Sequence, residues 1–86
     1  SGEQTKVILK LNDSSAELLL QLKQLTGVLA IDEIPNQVSL TVNSEFKLTN
    51  AISLLEAAHI ELHSISYEQP RLEDIFLWLT GKSLRD

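Results

Sequence analysis

The stretch VLAIDEIPNQVSLTVN, residues 28–43, decides the fold, because its pattern is that of two strands joined by a tight turn. In its second half valine and leucine alternate with polar residues, which is the period of a strand with one buried face. Pro35 and Asn36 separate the two apolar runs, and both residue types favour turns. The sequence therefore predicts a β-hairpin with strands at 28–33 and 37–43.

A strand and a helix precede this hairpin. Residues 5–11 alternate in the same way, so we predict a half-buried strand there. Ser14 precedes Glu17 by three residues, which is the spacing of a capping box, and leucines then recur at helical intervals as far as Gly27. These signals predict a first helix at 15–26, ended by the glycine.

A second helix and a last strand follow the hairpin. Ser44 can cap a helix whose apolar residues lie on one face and which ends near His59. Residues 60–68 resemble a strand whose alternation is interrupted, which predicts a bulge near His63 or Ser64.

Pro70 ends that strand, and a third helix is predicted over residues 72–80, with Gly81 at its end. The element order is thus β-α-β-β-α-β followed by a terminal helix. With right-handed crossovers, this order predicts an α+β, ferredoxin-like sandwich in which two helices cover one face of a four-stranded antiparallel sheet.

Composition limits the classes of protein that the chain can belong to. Its 86 residues suffice for one domain, and 43% hydrophobic residues support a packed core. The net charge of −5 repels phosphate backbones and anionic lipids, so we expect neither nucleic acid nor direct membrane insertion. Cysteine is absent, which fits a cytoplasmic protein. We interpret residues 1–2 as a cloning remnant and residues 3–86 as one domain.

The sequence Gly81-Lys82-Ser83 ends like a phosphate-binding loop. In such a loop, however, the glycine and lysine precede a helix whose N-terminal amide groups hold the phosphates. Gly81 follows a predicted helix, where the dipole is negative and repels phosphate. We therefore interpret Gly81 as a helix C-cap and expect no nucleotide site in this domain.

The sequence HIELH places His59, Glu61 and His63 at every second residue, which on a strand would turn three possible metal ligands to one side. The zincin motif has a different spacing and lies on a helix. We therefore interpret the three residues as solvated surface and predict no metal site.

Two pairs of adjacent carboxylates, Asp32-Glu33 and Glu73-Asp74, could suggest acid–base catalysis. Neighbours on a helix diverge by about 100 degrees, and the sequence offers no nucleophile, metal set or glycine-rich loop to complete either pair. Turn chemistry and the helix dipole explain both pairs, so we predict no catalytic residues.

The predicted terminal helix has two apolar surfaces. One surface is a stripe that we expect to pack onto the domain, and it consists of Leu72, Ile75, Phe76 and Leu79. Leu77 points nearly opposite to this stripe, and Trp78 lies to the side. These two side chains either contact a partner or, in the case of Trp78, fill a groove of the same domain.

The final run QPRLEDIFLWLTGKSLRD, residues 69–86, resembles the end of the ATP-binding subunits of ABC-2 type exporters, the daunorubicin-resistance ATPase group. The usual run in that family is P-[ST]-L-E-D-V-F-L-x-L-T-G-[RK]-x-L-R-[DE]. Arg71 departs from it by replacing a hydroxyl residue, and Ile75 by replacing valine. The matching positions are Pro70, Leu72, Glu73, Asp74, Phe76, Leu77, Leu79, Thr80, Gly81, Lys82, Leu84, Arg85 and Asp86.

This resemblance implies a non-catalytic C-terminal accessory domain of an exporter ATPase, in which ATP and magnesium bind only to the parent's nucleotide-binding domain. The implied partners are that domain, the second ATPase subunit and the membrane permease subunit, which would hold the domain at the inner face of the cell membrane. Leu77 and Trp78 would be its outward contacts. The implied interface residues are Leu72, Glu73, Asp74, Phe76, Leu77, Trp78, Thr80 and Gly81.

Two other functions remain to be weighed. The first alternative is a small-molecule-sensing regulatory domain, since related sandwiches bind effectors at strand edges and helix starts. The second is RNA binding on the open sheet face, which requires stacking aromatic residues and positive charge. The predicted face offers little of either, since its side chains are Lys6, Ile8, Lys10, Ser39 and Thr41.

Overall fold

The computed structural model describes residues 4–68. Within this range the elements follow one another in the predicted order. All four predicted strands are present, as are the first two predicted helices. Their bounds are β1 (Thr5–Leu11), α1 (Ala16–Lys23), β2 (Val28–Ile34), β3 (Gln37–Val42), α2 (Leu48–Ala57) and β4 (Leu62–Glu68). The predicted terminal helix and the residues assigned to a cloning remnant lie outside the described range.

The four strands form one antiparallel sheet in the order β2-β3-β1-β4. This confirms the predicted α+β class with a four-stranded antiparallel sheet, and the arrangement is consistent with a ferredoxin-like sandwich. The register places Leu9 of β1 between Val38 of β3 and Ile65 of β4. The buried apolar residues of the central strands therefore share one face, as their alternation predicted, and Ile8 lies on the other.

The core lies between that face and the two helices. Leu18 and Leu22 of α1 and Ala51 and Leu55 of α2 are buried in one cluster with the inward residues of the central strands. Because only one face of these strands is buried, both helices lie on the same side of the sheet. The strand residues of the cluster are Val7, Leu9, Leu11, Val38, Leu40 and Val42.

The limits of α1 differ from the prediction at both ends. The N-cap is Ser15, whose Oγ accepts a hydrogen bond from the Leu18 amide at 3.1 Å. The hydroxyl of Ser14, the predicted cap, instead donates to the Glu33 carboxylate of β2. The helix also ends three residues earlier than predicted, because residues 25–28 form a turn in which the Val28 amide donates to the Leu25 carbonyl.

Gly27 serves this turn and not the end of the helix. Its φ of +85° matches the third position of a type II turn, which favours glycine. A Cβ at this position would lie 2.3 Å from the backbone nitrogen of Phe46 and 2.6 Å from its Cα. The loop before α2 thus packs directly against the turn before β2, which only glycine permits.

The start of α2 was also predicted wrongly. Ser44 does not cap a helix, because Asn43 organises the preceding loop by accepting the Glu45 amide on Oδ1 at 2.9 Å. The helix begins four residues after Ser44, at Leu48, and its N-cap, Lys47, provides no side-chain hydrogen bond.

The end of α2 agrees with the prediction. His59 follows the C-cap residue Ala58 with a left-handed φ of 58°. Its amide donates to Glu56, and the Ile60 amide donates to Leu55, which together form a Schellman motif.

The bulge predicted in the last strand is present. Lys10 pairs with Ser64 and Leu11 with Leu62, so His63 is the extra residue of β4. A two-residue turn connects β2 and β3 in the hairpin, with Asn36 at a φ of 63°. Asparagine tolerates this conformation better than most residues do.

Candidate interaction surfaces

The interface residues expected from the resemblance lie outside the described residues. The same holds for Gly81-Lys82-Ser83 and for the pair Glu73-Asp74. The predicted interface comprises Leu72, Glu73, Asp74, Phe76, Leu77, Trp78, Thr80 and Gly81. A partner, or the rest of this chain, would contact the domain on surfaces formed by residues 4–68.

The open face of the sheet is polar and carries both signs of charge. The register places Lys6 beside Thr41 and Glu68, and Ile8 beside Ser39 and Ser66. Lys10 and Asp32 lie on the same face by their pairing with Gln37 and Ser39.

Tyr67 pairs with Val7 and therefore lies on the helix-covered face. Among residues 4–68 the open face carries no aromatic side chain, and its two lysines are matched by two carboxylates. Such a surface offers single-stranded RNA neither base stacking nor net positive charge.

The three residues of the HIELH sequence do not alternate along one strand, because His59 and Glu61 precede β4. His59 lies in the Schellman motif before β4, whereas His63 lies in the bulge of that strand. All three side chains are exposed, as predicted. Within the part of the chain that the structure describes, no three His, Cys, Asp or Glu residues lie close enough to hold a metal ion.

Asn12, in the loop after β1, connects two residues of this sequence. Its Oδ1 lies 2.5 Å from Nε2 of His63, and its Nδ2 donates to Glu61 at 3.4 Å. Because an amide oxygen can only accept, His63 donates in this pair. These exposed bonds join the loop to the start of β4, a structural role that no local pattern indicated.

The pair Asp32-Glu33 is divided between the two faces of the sheet. Asp32 is opposite Ser39 on the open face, whereas Glu33 is opposite Val38 on the helix-covered face and accepts the Ser14 hydroxyl. Adjacent strand residues alternate in direction, so the two carboxylates cannot converge on one substrate. This geometry supports the structural interpretation of the pair.

The part of the chain from residue 4 to residue 68 forms at least two shallow grooves on the helix-covered side. The first, of about 270 Å³, separates α1 from α2, and Leu18, Gln21, Leu54 and Ala57 are among its lining residues. The second, of about 200 Å³, lies at the other end of the sheet, where Phe46 and Tyr67 line it. Both volumes are below the roughly 300–1,000 Å³ of typical ligand pockets.

The groove at Tyr67 is only partly indicated by the sequence pattern. Alternation along the last strand places Tyr67 on the same face as Ile65, so the position of one of the two aromatic residues could be predicted. Phe46 lies in a loop without periodicity, and its position depends on the contact with Gly27, which only the folded chain reveals.

Among residues 4–68, neither α1 nor α2 has the length and apolar character needed to cross a bilayer. No protein-family model matches the chain. No curated protein matches it with significance either.

Proposed function

We propose that this chain is the non-catalytic C-terminal domain of an ABC-type exporter ATPase and that it acts in assembly or regulation through protein contacts. The observation that carries this proposal is the run from Pro70 to Asp86, which agrees with the exporter family at most of its fixed positions. The described β-α-β-β-α-β core, in which the sheet order is β2-β3-β1-β4, supports it as a small domain to which such a tail can be attached.

In this proposal the fold is a ferredoxin-like sandwich with an additional C-terminal helix. One stripe of that helix faces the domain, and Leu77 and Trp78 face the partner. The partners are the nucleotide-binding domain, its second copy and the permease subunit. ATP and magnesium belong to the nucleotide-binding domain, and the contacts hold the accessory domain at the cytoplasmic side of the membrane.

The described surfaces favour protein contacts over the two rival functions. The open sheet face has a balanced set of charges and, between residues 4 and 68, no aromatic residue. The two grooves are small and open to solvent. Apolar side chains are nevertheless exposed on the described domain, including Leu29 at 47% and Ile34 at 55%.

The test compares association of the wild-type chain with that of two variants, Leu77→Asp and Trp78→Ala. Analytical ultracentrifugation measures self-association, and a pull-down titration measures binding to the nucleotide-binding domain of an exporter ATPase of the resembled group. Each variant should weaken at least one of these interactions about tenfold or more, since central aromatic and apolar contacts dominate interfaces. Leu20→Asp, which alters an exposed leucine of α1, is the matched control and should leave both unchanged.

Two results would contradict the proposal. In the first, both variants associate like the wild-type chain. In the second, both unfold, which would mean that these side chains belong to the core. A metabolite that stabilises the chain strongly in a thermal-shift screen, by about 2.7 kcal/mol at 100 times its dissociation constant, would instead favour the sensor function.

A further inference from the structure

The groove at Tyr67 is formed where two parts of the chain meet at one end of the sheet. The loop between β3 and α2 contributes one wall, and the end of β4 contributes the other. Its lining residues are Thr5, Val42, Asn43, Ser44, Phe46 and Tyr67. Its volume of about 200 Å³ exceeds the roughly 150 Å³ of an engineered apolar cavity that binds benzene. One large apolar side chain therefore fits.

The apolar part of this groove lies on the core side of the sheet but is not covered by α1 or α2. Tyr67 is paired with the fully buried Val7, yet 55% of Tyr67 is exposed. Phe46 packs against the core and is only partly buried. An aromatic side chain in this position gains free energy when another apolar group covers it.

Backbone contacts hold the groove wall at Phe46 in place. The Phe46 backbone lies so close to Gly27 that a Cβ there would be 2.3 Å from the Phe46 nitrogen. The Phe46 amide also donates to the Asn43 carbonyl at 3.2 Å. A segment that docks here therefore meets a surface that is already formed, which lowers the entropic cost of docking.

The chain itself leaves the sheet beside this groove. β4 ends at Glu68, directly after Tyr67, and Glu68 is opposite Lys6 at the same end of the sheet. Leu72 follows Tyr67 by five residues, a distance that an extended chain spans over at most about 18 Å. Pro70 has no amide hydrogen to donate to a strand ladder, so the sequence predicts that the strand ends before it.

We propose that this groove is the docking site of the chain's own C-terminal segment and that the stripe of Leu72, Ile75, Phe76 and Leu79 covers Phe46 and Tyr67. The short connection keeps the segment at an effective concentration of about millimolar or higher. Leu77 and Trp78 then point away from the groove. The inference depends on the described groove and on chain connectivity, and it holds whether or not the domain belongs to an exporter ATPase.

Nuclear Overhauser effects on the full chain provide the direct test. We expect cross-peaks between the rings of Phe46 and Tyr67 and the side chains of Leu72, Ile75 or Phe76. A sample that mixes labelled and unlabelled chains separates contacts within one chain from contacts between two. Absence of these cross-peaks, or their appearance only between chains, would overturn the proposal.

A matched pair of variants provides an independent thermodynamic test. Tyr67 and Ile34 are both 55% exposed on the described domain. If the segment covers Tyr67, Tyr67→Ser should lower the folding equilibrium constant of the full chain about tenfold more than Ile34→Ser does, because only Tyr67 then loses the apolar area that the segment buries. Equal effects of the two substitutions would contradict the docking.

A double-mutant cycle identifies the side chains in contact. Tyr67→Ser and Phe76→Ser should be coupled by at least about threefold in the folding equilibrium constant, as residues in contact are. Tyr67→Ser and Leu77→Ser should be additive, since Leu77 lies on the opposite side of the predicted helix. Coupling to Leu77 instead of Phe76 would refute the assignment of faces. This outcome is distinct from failure of the proposed function, which concerns only association with partners.

Discussion

Replacing Gly27 by alanine tests the contact that joins the two crossover connections of the fold. The added Cβ would lie 2.3 Å from the nitrogen and 2.6 Å from the Cα of Phe46. Both are backbone atoms, and the Asn43 amide on the same loop donates to the Gly27 carbonyl at 2.9 Å. The alanine therefore cannot be accommodated by rotation of a side chain.

Two terms determine the expected loss of stability. A φ of +85° lies in the left-handed region, which costs a residue with a Cβ roughly 1–2 kcal/mol. Carbon atoms pack at about 3.5–4.0 Å, so the loop at Phe46 must move by more than about 1 Å. Overpacking of this kind costs roughly 1–3 kcal/mol. We expect Gly27→Ala to reduce the free energy of unfolding by about 2–4 kcal/mol, after a small gain from the stiffer unfolded chain.

Urea unfolding of the full chain, followed by far-ultraviolet circular dichroism, measures this loss. The expected decrease in melting temperature is roughly 10–30 °C for a domain of this size. Thr26→Ala, at the neighbouring exposed position, is the control and should change stability by less than about 0.5 kcal/mol. If Gly27→Ala is as stable as this control, neither the left-handed turn nor the contact with Phe46 exists in solution.

Three further substitutions test caps and core. Ser15→Ala should cost about 1 kcal/mol in urea unfolding because it removes the N-cap acceptor of α1, and a larger loss in Ser14→Ala would reverse our assignment of the cap. His59 occupies the left-handed C′ position of α2, so the variant His59→Gly should be about 1 kcal/mol more stable than His59→Ala in thermal unfolding. Equal stability of the two variants would contradict the Schellman geometry. Leu22→Ala should lower the free energy of unfolding by about 2–5 kcal/mol because its side chain is fully buried. Leu20→Ala is the control and should change this free energy by less than about 0.5 kcal/mol. Similar losses in both variants would show that α1 is rotated about its axis.

Much of the architecture was predictable because it depends on local period and turn chemistry. Alternation identified β1 at its observed limits and assigned the inward face of β3 correctly. The interrupted alternation of β4 indicated the bulge that His63 occupies. Pro35 and Asn36 marked the hairpin turn.

Helix limits were less predictable because several residues can satisfy the same backbone groups. Ser14 and Ser15 are both acceptable caps, and the choice depends on Glu33, which takes the Ser14 hydroxyl from another strand. Asn43 accepts the Glu45 amide on its side chain and the Phe46 amide on its carbonyl, so a turn stands after Ser44 and α2 begins only at Leu48. The contact between Ser14 and Glu33 joins residues distant in sequence, so the choice of cap is decided only when the sheet has formed.

The sequence by itself determined the order of the described elements and the buried face of the central strands, because each follows from spacing along one piece of chain. Only the tertiary structure decided that Phe46 and Tyr67 form one groove. The groove requires Gly27 to let the loop before α2 approach within contact distance of the turn before β2. Such an approach depends on the packing of residues far apart in the chain, which no local pattern encodes.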